Sequence, residues 1–251
     1  MAQAEYAVPI VSTCDLVMQY FDTQAQVFTD LNIEIDLTEL AAKIQTKRPN
    51  ILTTAKKTLN SVKNIWDPAL VYRWLPLEES DDASGRRVIY GNDGPVTLDL
   101  GYSSIFLKKA DYALVVVYSA GSRLEEESRK ATNDKEFLSA FLIDLIGLLV
   151  LEKTGNRAKR IAEQKASELG WGVSPFLSPG SIHGWQLEDQ LQLCSLLPLD
   201  RINVQLRDDA VLAPFKSLSC LIGIGPEYTA SLVGTTCQVC SKNQDCQMRQ
   251  L

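Results

Sequence analysis

The stretch FLSAFLIDLIGLLVL, residues 137–151, limits what this chain can become more than any other. So long an apolar surface must be removed from water. The run is too short to span a bilayer, and it carries Asp144 near its middle, where a charge in lipid is costly. The reading that remains is a helix buried in a protein core. Asp144 then needs a hydrogen-bonding partner, from a neighbouring backbone group or an arginine, because burial strips a carboxylate of its water.

A buried helix needs a second layer to pack on. RRVIYG, PVTLDL and DYALVVVYSAG are rich in β-branched residues and bounded by glycine, as strands are. INVQL, VLAPF and SLSCLIGIG read the same way further on. Residues 13–65 look helical: Leu16, Val17 and Tyr20, then Leu37, Leu40, Ala41 and Ile44, then Leu52, Ala55, Leu59 and Val62 recur at helical spacing. Pro9, Pro49 and Pro68 punctuate them. EESDDASGRR, residues 78–87, is charged and poor in apolar residues, and reads as a boundary or exposed loop. From Ser122 two helices are expected to about Leu169, with Asn133 and Asp134 as caps of the second. GWGVSPFLSPGSIHGWQ, residues 170–186, is an irregular loop with bulky anchors, and LEDQLQLCSLL returns to helix. Helices and strands interleave without a regular βαβ period, which predicts an α+β fold.

Composition narrows the function. At 251 residues with 45% hydrophobic content, the chain can build a real core, as one large domain or one domain with an extension. A net charge of −6 and a pI near 5.0 leave no basic stripe for phosphates, so nucleic acid is not an expected partner. The N-terminus lacks a basic region followed by an apolar run, so a cytoplasmic location is expected, with its six cysteines as thiols or metal ligands. There is no GxxxxGK[ST], G-x-S-x-G or Cys–His pair, and GIGPEY lacks the third glycine of a dinucleotide fingerprint.

Three of those cysteines crowd a polar tail. Cys237, Cys240 and Cys246 form C-x2-C-x5-C, in which two thiolates grip a metal from a tight turn and a third closes another side. Tetrahedral zinc and a [4Fe–4S] cluster each want four ligands. Cys220, at the end of a predicted strand, is the candidate fourth, and its alternative role is that of a small buried hydrophobe. Cys14 and Cys194 lie in helical patterns. Spacing alone does not choose between the metals, and three cysteines with another ligand, or an open iron position, also fit. The run Glu125–Glu127 complements the dipole at a helix start.

Four stretches, in chain order, carry a family likeness: ADYALVVVYSAGSRLEEE, FLSAFLIDLIGLLVLEK, SPGSIHGWQLEDQLQLCSLL and LAPFKSLSCLIGIG. With the cysteine segment followed by Arg249, they make the chain from roughly Val96 onward resemble the activation domain of vitamin B12-dependent methionine synthase, in its stand-alone form from anaerobes. The resemblance implies an antiparallel sheet packed with long helices. Its strands would lie near 96–100, 112–118, 202–206 and 217–224, with helix 134–151 buried against it. Residues 1–80 would be a helical N-terminal region, and 81–251 the activation-like domain with a cysteine-rich tail from about 220 to 249.

The resemblance also implies a role in corrinoid metabolism. In that family the domain binds S-adenosylmethionine and caps cobalamin so that inactive Co(II) is reduced and remethylated. The implied partner is a corrinoid protein or corrinoid-dependent methyltransferase, and the implied chemistry is electron supply from an iron–sulfur cluster. A non-catalytic corrinoid-binding or assembly protein with structural zinc, and an S-adenosylmethionine-dependent reactivase, are the alternatives. The family's ligand loop reads R-x-x-x-G-Y; with its glycine on Gly180, this chain has Phe176 for the arginine and Ser181 for the tyrosine. An arginine would meet a ligand carboxylate as a charged fork, which phenylalanine cannot do. Pro179 and Gly180 still permit a tight turn and close ligand approach, and Ser181, His183 and Trp185 offer groups beside it. His183 is the chain's single histidine; its roles are a surface hydrogen bond or contact with cobalt, cluster or substrate. Trp171 and Trp185 read as packing anchors.

Overall fold

The computed structural model describes residues 21–46, 48–63, 65–78, 85–91, 94–182 and 184–234. Its elements in chain order are β1 (Gln26–Phe28), α1 (Leu37–Ile44), α2 (Pro49–Val62), β2 (Ala69–Pro76), β3 (Arg86–Gly91), β4 (Gly94–Asp99), β5 (Tyr112–Ser119), α3 (Arg123–Asn133), α4 (Phe137–Leu169), β6 (Gly172–Val173), α5 (Gln190–Ser195), β7 (Gln205–Leu206), β8 (Leu212–Ala213) and β9 (Ser217–Gly225). A 3₁₀ turn, Gly101–Leu107, precedes β5.

The main sheet has the order β1-β2-β5-β9-β6, antiparallel at every pairing. β5 lies at its centre, and all eight of its residues are buried. That is why YALVVVYS reads as a continuous apolar run rather than an alternating one. Its even-numbered residues, Tyr112, Leu114, Val116 and Tyr118, share one apolar cluster with Ala158, Ala162 and Ala166 of α4. Its odd-numbered residues, Ala113, Val115 and Val117, face a second cluster with Leu177, Trp185 and Leu193. The alternation follows from the period of two in a strand.

The small side chains along α4 let it lie close to the sheet. At Gly155 an added Cβ would stand 2.6 Å from the Tyr118 hydroxyl, so the helix backbone and that ring are already in contact. The apolar run that opened the sequence reading packs elsewhere. Leu142, Ile146 and Val150 meet Leu40 of α1, Leu59 and Val62 of α2 and Leu124 of α3. Helix 134–151 was expected to be buried against the sheet; its burial is against other helices, and the sheet receives the later, alanine-bearing half. Physically, leucine and isoleucine suit the wider spacing between helices, and alanine suits a close helix–sheet approach. Asp144 does find its partner: Lys216 reaches it at 2.7 Å, with the lysine stem lying over Gly147.

Other expectations are corrected in detail. The helical reading of 13–65 fails at β1, a three-residue edge strand too short to impose a period, and residues 13–20 lie outside the described set. The stretch 1–80 does hold α1 and α2, yet it also supplies β1 and β2 to the sheet. The strands near 96–100 and 202–206 exist but stay out of the main sheet: β4 pairs only with β3, and β7 only with β8. Both are local hairpins, whose short loops cost little entropy to close. Asp134 ends α3 instead of starting α4, because Lys135 turns into a left-handed conformation at φ 63° and Glu136 caps the next helix. α1 is better foreseen: Asp36 accepts from Glu39 N–H while the Glu39 side chain accepts from Asp36 N–H, a reciprocal cap. No helix among the described residues is long and apolar enough to cross a membrane.

Candidate functional site

The loop from Ser174 to Gln186 leaves β6 at the edge of the sheet and is held by side chains in place of a continued ladder. Gly223 N–H donates to Ser174 Oγ at 2.8 Å, and Ser174 N–H donates to the Gly223 carbonyl at 2.8 Å. Leu177 exchanges both backbone bonds with Leu221, and Ser178 Oγ donates to the Ser219 carbonyl at 2.8 Å. A buried chain of bonds then ties β9 to α5. Ser219 Oγ donates to Gln190 Oε1 at 2.7 Å, and Gln190 Nε2 donates to the Ala210 carbonyl at 2.5 Å. In a dry interior such bonds fix geometry strongly, since leaving either end unmade costs ~1–3 kcal/mol.

Beyond Ser178 the chain turns sharply. Gly180, at φ 73°, donates to the Trp185 carbonyl at 2.9 Å, and Ser181 N–H donates to the Ser178 carbonyl at 3.1 Å. A Cβ on Gly101 would lie 2.8 Å from the Gly184 carbonyl, so the loop tip presses directly on the 3₁₀ turn. Trp185 is 1% exposed and packs with Leu177, Ile182 and Leu193, and its indole N–H has no hydrogen-bond partner among the described residues. The anchor reading of Trp185 thus accounts for its ring and leaves its N–H unexplained. Pro179 is buried as well, while Gly180 is exposed and Ser181 half-buried. His183 lies outside the described residues.

Phe176 faces the other way. It is 3% exposed, packed beneath α4, with the Lys159 ammonium 5.6 Å from its ring centroid. A ligand carboxylate aimed at position 176 would meet an apolar ring inside the helix–sheet core. The residues present do not fit the family's usual carboxylate clamp; Lys159 is the cation beside that position.

Cys220 belongs to the same cluster, fully buried with Tyr118. Burial pushes its thiol well above the ordinary range, with the Lys159 charge partly opposing, and burial does the same to the Tyr118 hydroxyl. Cys194, on the opposite face, is pushed up to about 12 by burial, with the nearby Ser219 hydroxyl partly opposing. Both thiols stay protonated at neutral pH in the metal-free fold, where a protonated thiol is a poor nucleophile, and a metal would have to displace the proton to bind either one. Among the described residues no group of three or more His, Cys, Asp or Glu side chains could hold a metal, and Cys237, Cys240 and Cys246 lie outside them, as does Cys14. Near the end of the described residues, Val233 packs into the cluster that contains Cys220 and donates its N–H to Glu163 Oε1 at 2.8 Å.

Two clefts of about 410 and 440 Å³ lie among the helices instead, one near Trp66 and Lys153, the other between α2, α3 and α4. In the first, Lys153 is already committed to Glu39 and the Glu34 carbonyl. What the sequence reading missed is Arg73, whose signal was a lone charge inside the apolar strand ALVYRWLP.

A five-stranded antiparallel sheet with a long helix across one face and a clamped loop at its edge defines an α+β fold. Thirteen solved chains share the fold. One of them, the MetH reactivation domain bound to AdoHcy, aligns with a TM-score of 0.58 over 83% of this chain and 81% of its own, at 11% identity. That coverage exceeds the portion from Val96 onward, so the shared fold takes in N-terminal residues too. No family model matches the sequence, and no curated protein matches it.

Proposed function

We propose that the protein serves the reactivation of a corrinoid protein or corrinoid-dependent methyltransferase, with an iron–sulfur cluster at its tail as the electron source. The observation that carries the reading is the fold shared with the MetH reactivation domain across most of both chains. In this reading Cys237, Cys240 and Cys246 hold the cluster, and Cys220 is the candidate fourth ligand in a reducing, cytoplasmic setting. Three thiols in ten residues suit the donor set of a [4Fe–4S] centre. The cluster would supply one-electron chemistry at low potential. The chain's own part is to hold the tail against α4 and to shape what lies around the sulfurs, since burial and hydrogen bonds set the potential. Val233, bonded to Glu163 and packed in the Cys220 cluster, starts the tail on that side.

S-adenosylmethionine does not enter by the usual mode, because Phe176 is core. Calorimetry with S-adenosylmethionine is expected to show no binding, or a Kd weaker than ~1 mM, equivalent to only ~4 kcal/mol. Micromolar affinity would mean that the loop alignment is wrong or that another cation, such as Lys159 beside Phe176, replaces the arginine.

One observation favours a second reading. The complete burial of Cys220 leaves the tail triad to find a non-cysteine fourth ligand, which suits a structural zinc in a corrinoid-binding or assembly protein. Anaerobic isolation separates the two. The cluster reading expects a brown protein whose Cys240→Ser variant loses iron and acid-labile sulfide together, with a weaker loss in Cys220→Ser. Stoichiometric zinc in the wild type, or full iron content after all three tail cysteines are replaced, sinks it.

A further inference from the structure

An arginine in the middle of a core strand has to put its charge somewhere. Arg73 sits in β2 between Tyr72 and Trp74, opposite Val115 of β5. Its Nη1 donates to the Leu196 carbonyl at 3.1 Å, its one hydrogen bond among the described residues. Its Nε–H is buried with no hydrogen-bond partner among the described residues, and none of the ion pairs found among them involves Arg73. Arg73 lines a partly open cavity of about 170 Å³, together with Gly91, Gly94, Pro95 and Val96 of the β3–β4 hairpin and Ser195 and Leu196 at the end of α5.

Three physical facts bear on what this cavity holds. A buried donor left unpaired costs ~1–3 kcal/mol, and more when it is charged, so native proteins explain such a group with a water or an ion. With Nη1 taken by Leu196, the free edge of the guanidinium is the Nε–Nη2 fork. Two parallel N–H bonds from that edge match the spacing of two oxygens on a carboxylate or phosphate. The volume has room for about five waters at ~30 Å³ each, enough for one such group and too little for a nucleoside or a corrin ring. The hairpin also lies close to the end of α5: a Cβ on Gly91 would stand 2.9 Å from Leu196 Cδ2, at the tip of that side chain.

We propose that the Arg73 cavity is an oxyanion-binding site, taking a single carboxylate or phosphate group on the Nε–Nη2 edge. It lies on the face of the sheet opposite α4 and is independent of the tail cysteines. The test uses the full chain with ¹⁵N-labelled arginine side chains. Sodium phosphate and sodium acetate are titrated in separately at constant ionic strength, with sodium chloride as the reference. The Arg73 Nε–H resonance is expected to shift and saturate with one of the two and not with chloride; phosphate identifies a phosphoryl ligand and acetate a carboxylate. Arg73→Lys keeps the charge and loses the fork, and is expected to weaken that anion at least tenfold. If Arg73→Lys does not fold, slowed solvent exchange of the wild-type Nε–H at saturating anion serves as the second measure. A resonance and exchange rate indifferent to both anions mean that water alone fills the cavity and overturn the proposal, as does undiminished binding by a folded Arg73→Lys.

Discussion

The two faces of the central sheet are built by opposite means. On one, a single 33-residue helix supplies the cover, and alanines and Gly155 bring it close enough to touch Tyr118. On the other, the cover is assembled from a hairpin, a 3₁₀ turn, the short helix α5 and the 174–186 loop. The first face is apolar throughout and keeps its polar groups, Tyr118 and Cys220, protonated. The second is stitched by Ser178, Ser219 and Gln190 and leaves buried donors on Trp185 and Arg73 without hydrogen-bond partners among the described residues. A continuous helix can bury area cheaply but offers few backbone groups to a ligand. Short pieces cost more to order, yet they converge polar atoms from several parts of the chain, and that is where binding sites form.

The contrast can be broken most severely at Trp185. Trp185→Ala removes the largest fully buried ring on the pieced-together face and is expected to cost ~3–5 kcal/mol in urea unfolding. Trp185→Phe deletes the unpartnered N–H, keeps most of the volume, and is expected to cost less than ~1.5 kcal/mol. Equal losses in both variants would mean that the indole N–H is satisfied in solution.

A smaller effect concerns Cys194, whose thiol is raised from 9.0 to about 12. A thiol that ionises more readily when unfolded stabilises the fold fully below pH ~9. It gives that stability up as pH rises toward 12, since the unfolded state then binds fewer protons. By pH 10.5 the wild type should have lost about 2 kcal/mol more than Cys194→Ala, as read from unfolding midpoints at each pH. Parallel profiles for the two proteins would contradict the burial assigned to this thiol.

The smallest change is expected where α4 meets the β8–β9 loop. Asp144 is half exposed although Lys216 is nearly buried. Solvent screens the pair from one side, and Asp144→Asn should therefore cost no more than ~1 kcal/mol and less in high salt. A loss of several kcal/mol would show that the lysine's charge is far less solvated than its partner's exposure implies.

The same contrast explains what could be read from the residues alone. That α4 is a helix was legible from its apolar run, residues 137–151, and Val115, Val116 and Val117 leave little choice but a buried strand. The division of labour within α4 was not, since a leucine-rich half and an alanine-rich half both read as apolar helix. On the other face, β4 and β7 were found as strands but assigned to the wrong sheet. A short strand's composition does not say which neighbour it pairs with, and loop closure favours the nearest. In the loop, the turn at Pro179–Gly180 and the packing of Trp185 were foreseen. Arg73 was not, because its role depends on Leu196, more than a hundred positions away along the chain.

The register at the heart of the sheet sets the order in which this molecule can be made. β5 pairs with β9 along its whole length, Tyr112 with Ile224 through Ser119 with Ser217. During synthesis the eight buried residues of β5 emerge long before their partner, with one hydrogen-bonding edge open and water on both sides. Pairings this distant close slowly, and an apolar strand with an open edge is what aggregates and what chaperones seize. The nascent chain therefore carries its greatest hazard between the emergence of β5 and that of β9. A synonymous-codon pause timed so that β5 has left the ribosome and β9 has not should lower soluble yield more than the same pause placed before Tyr112 is translated.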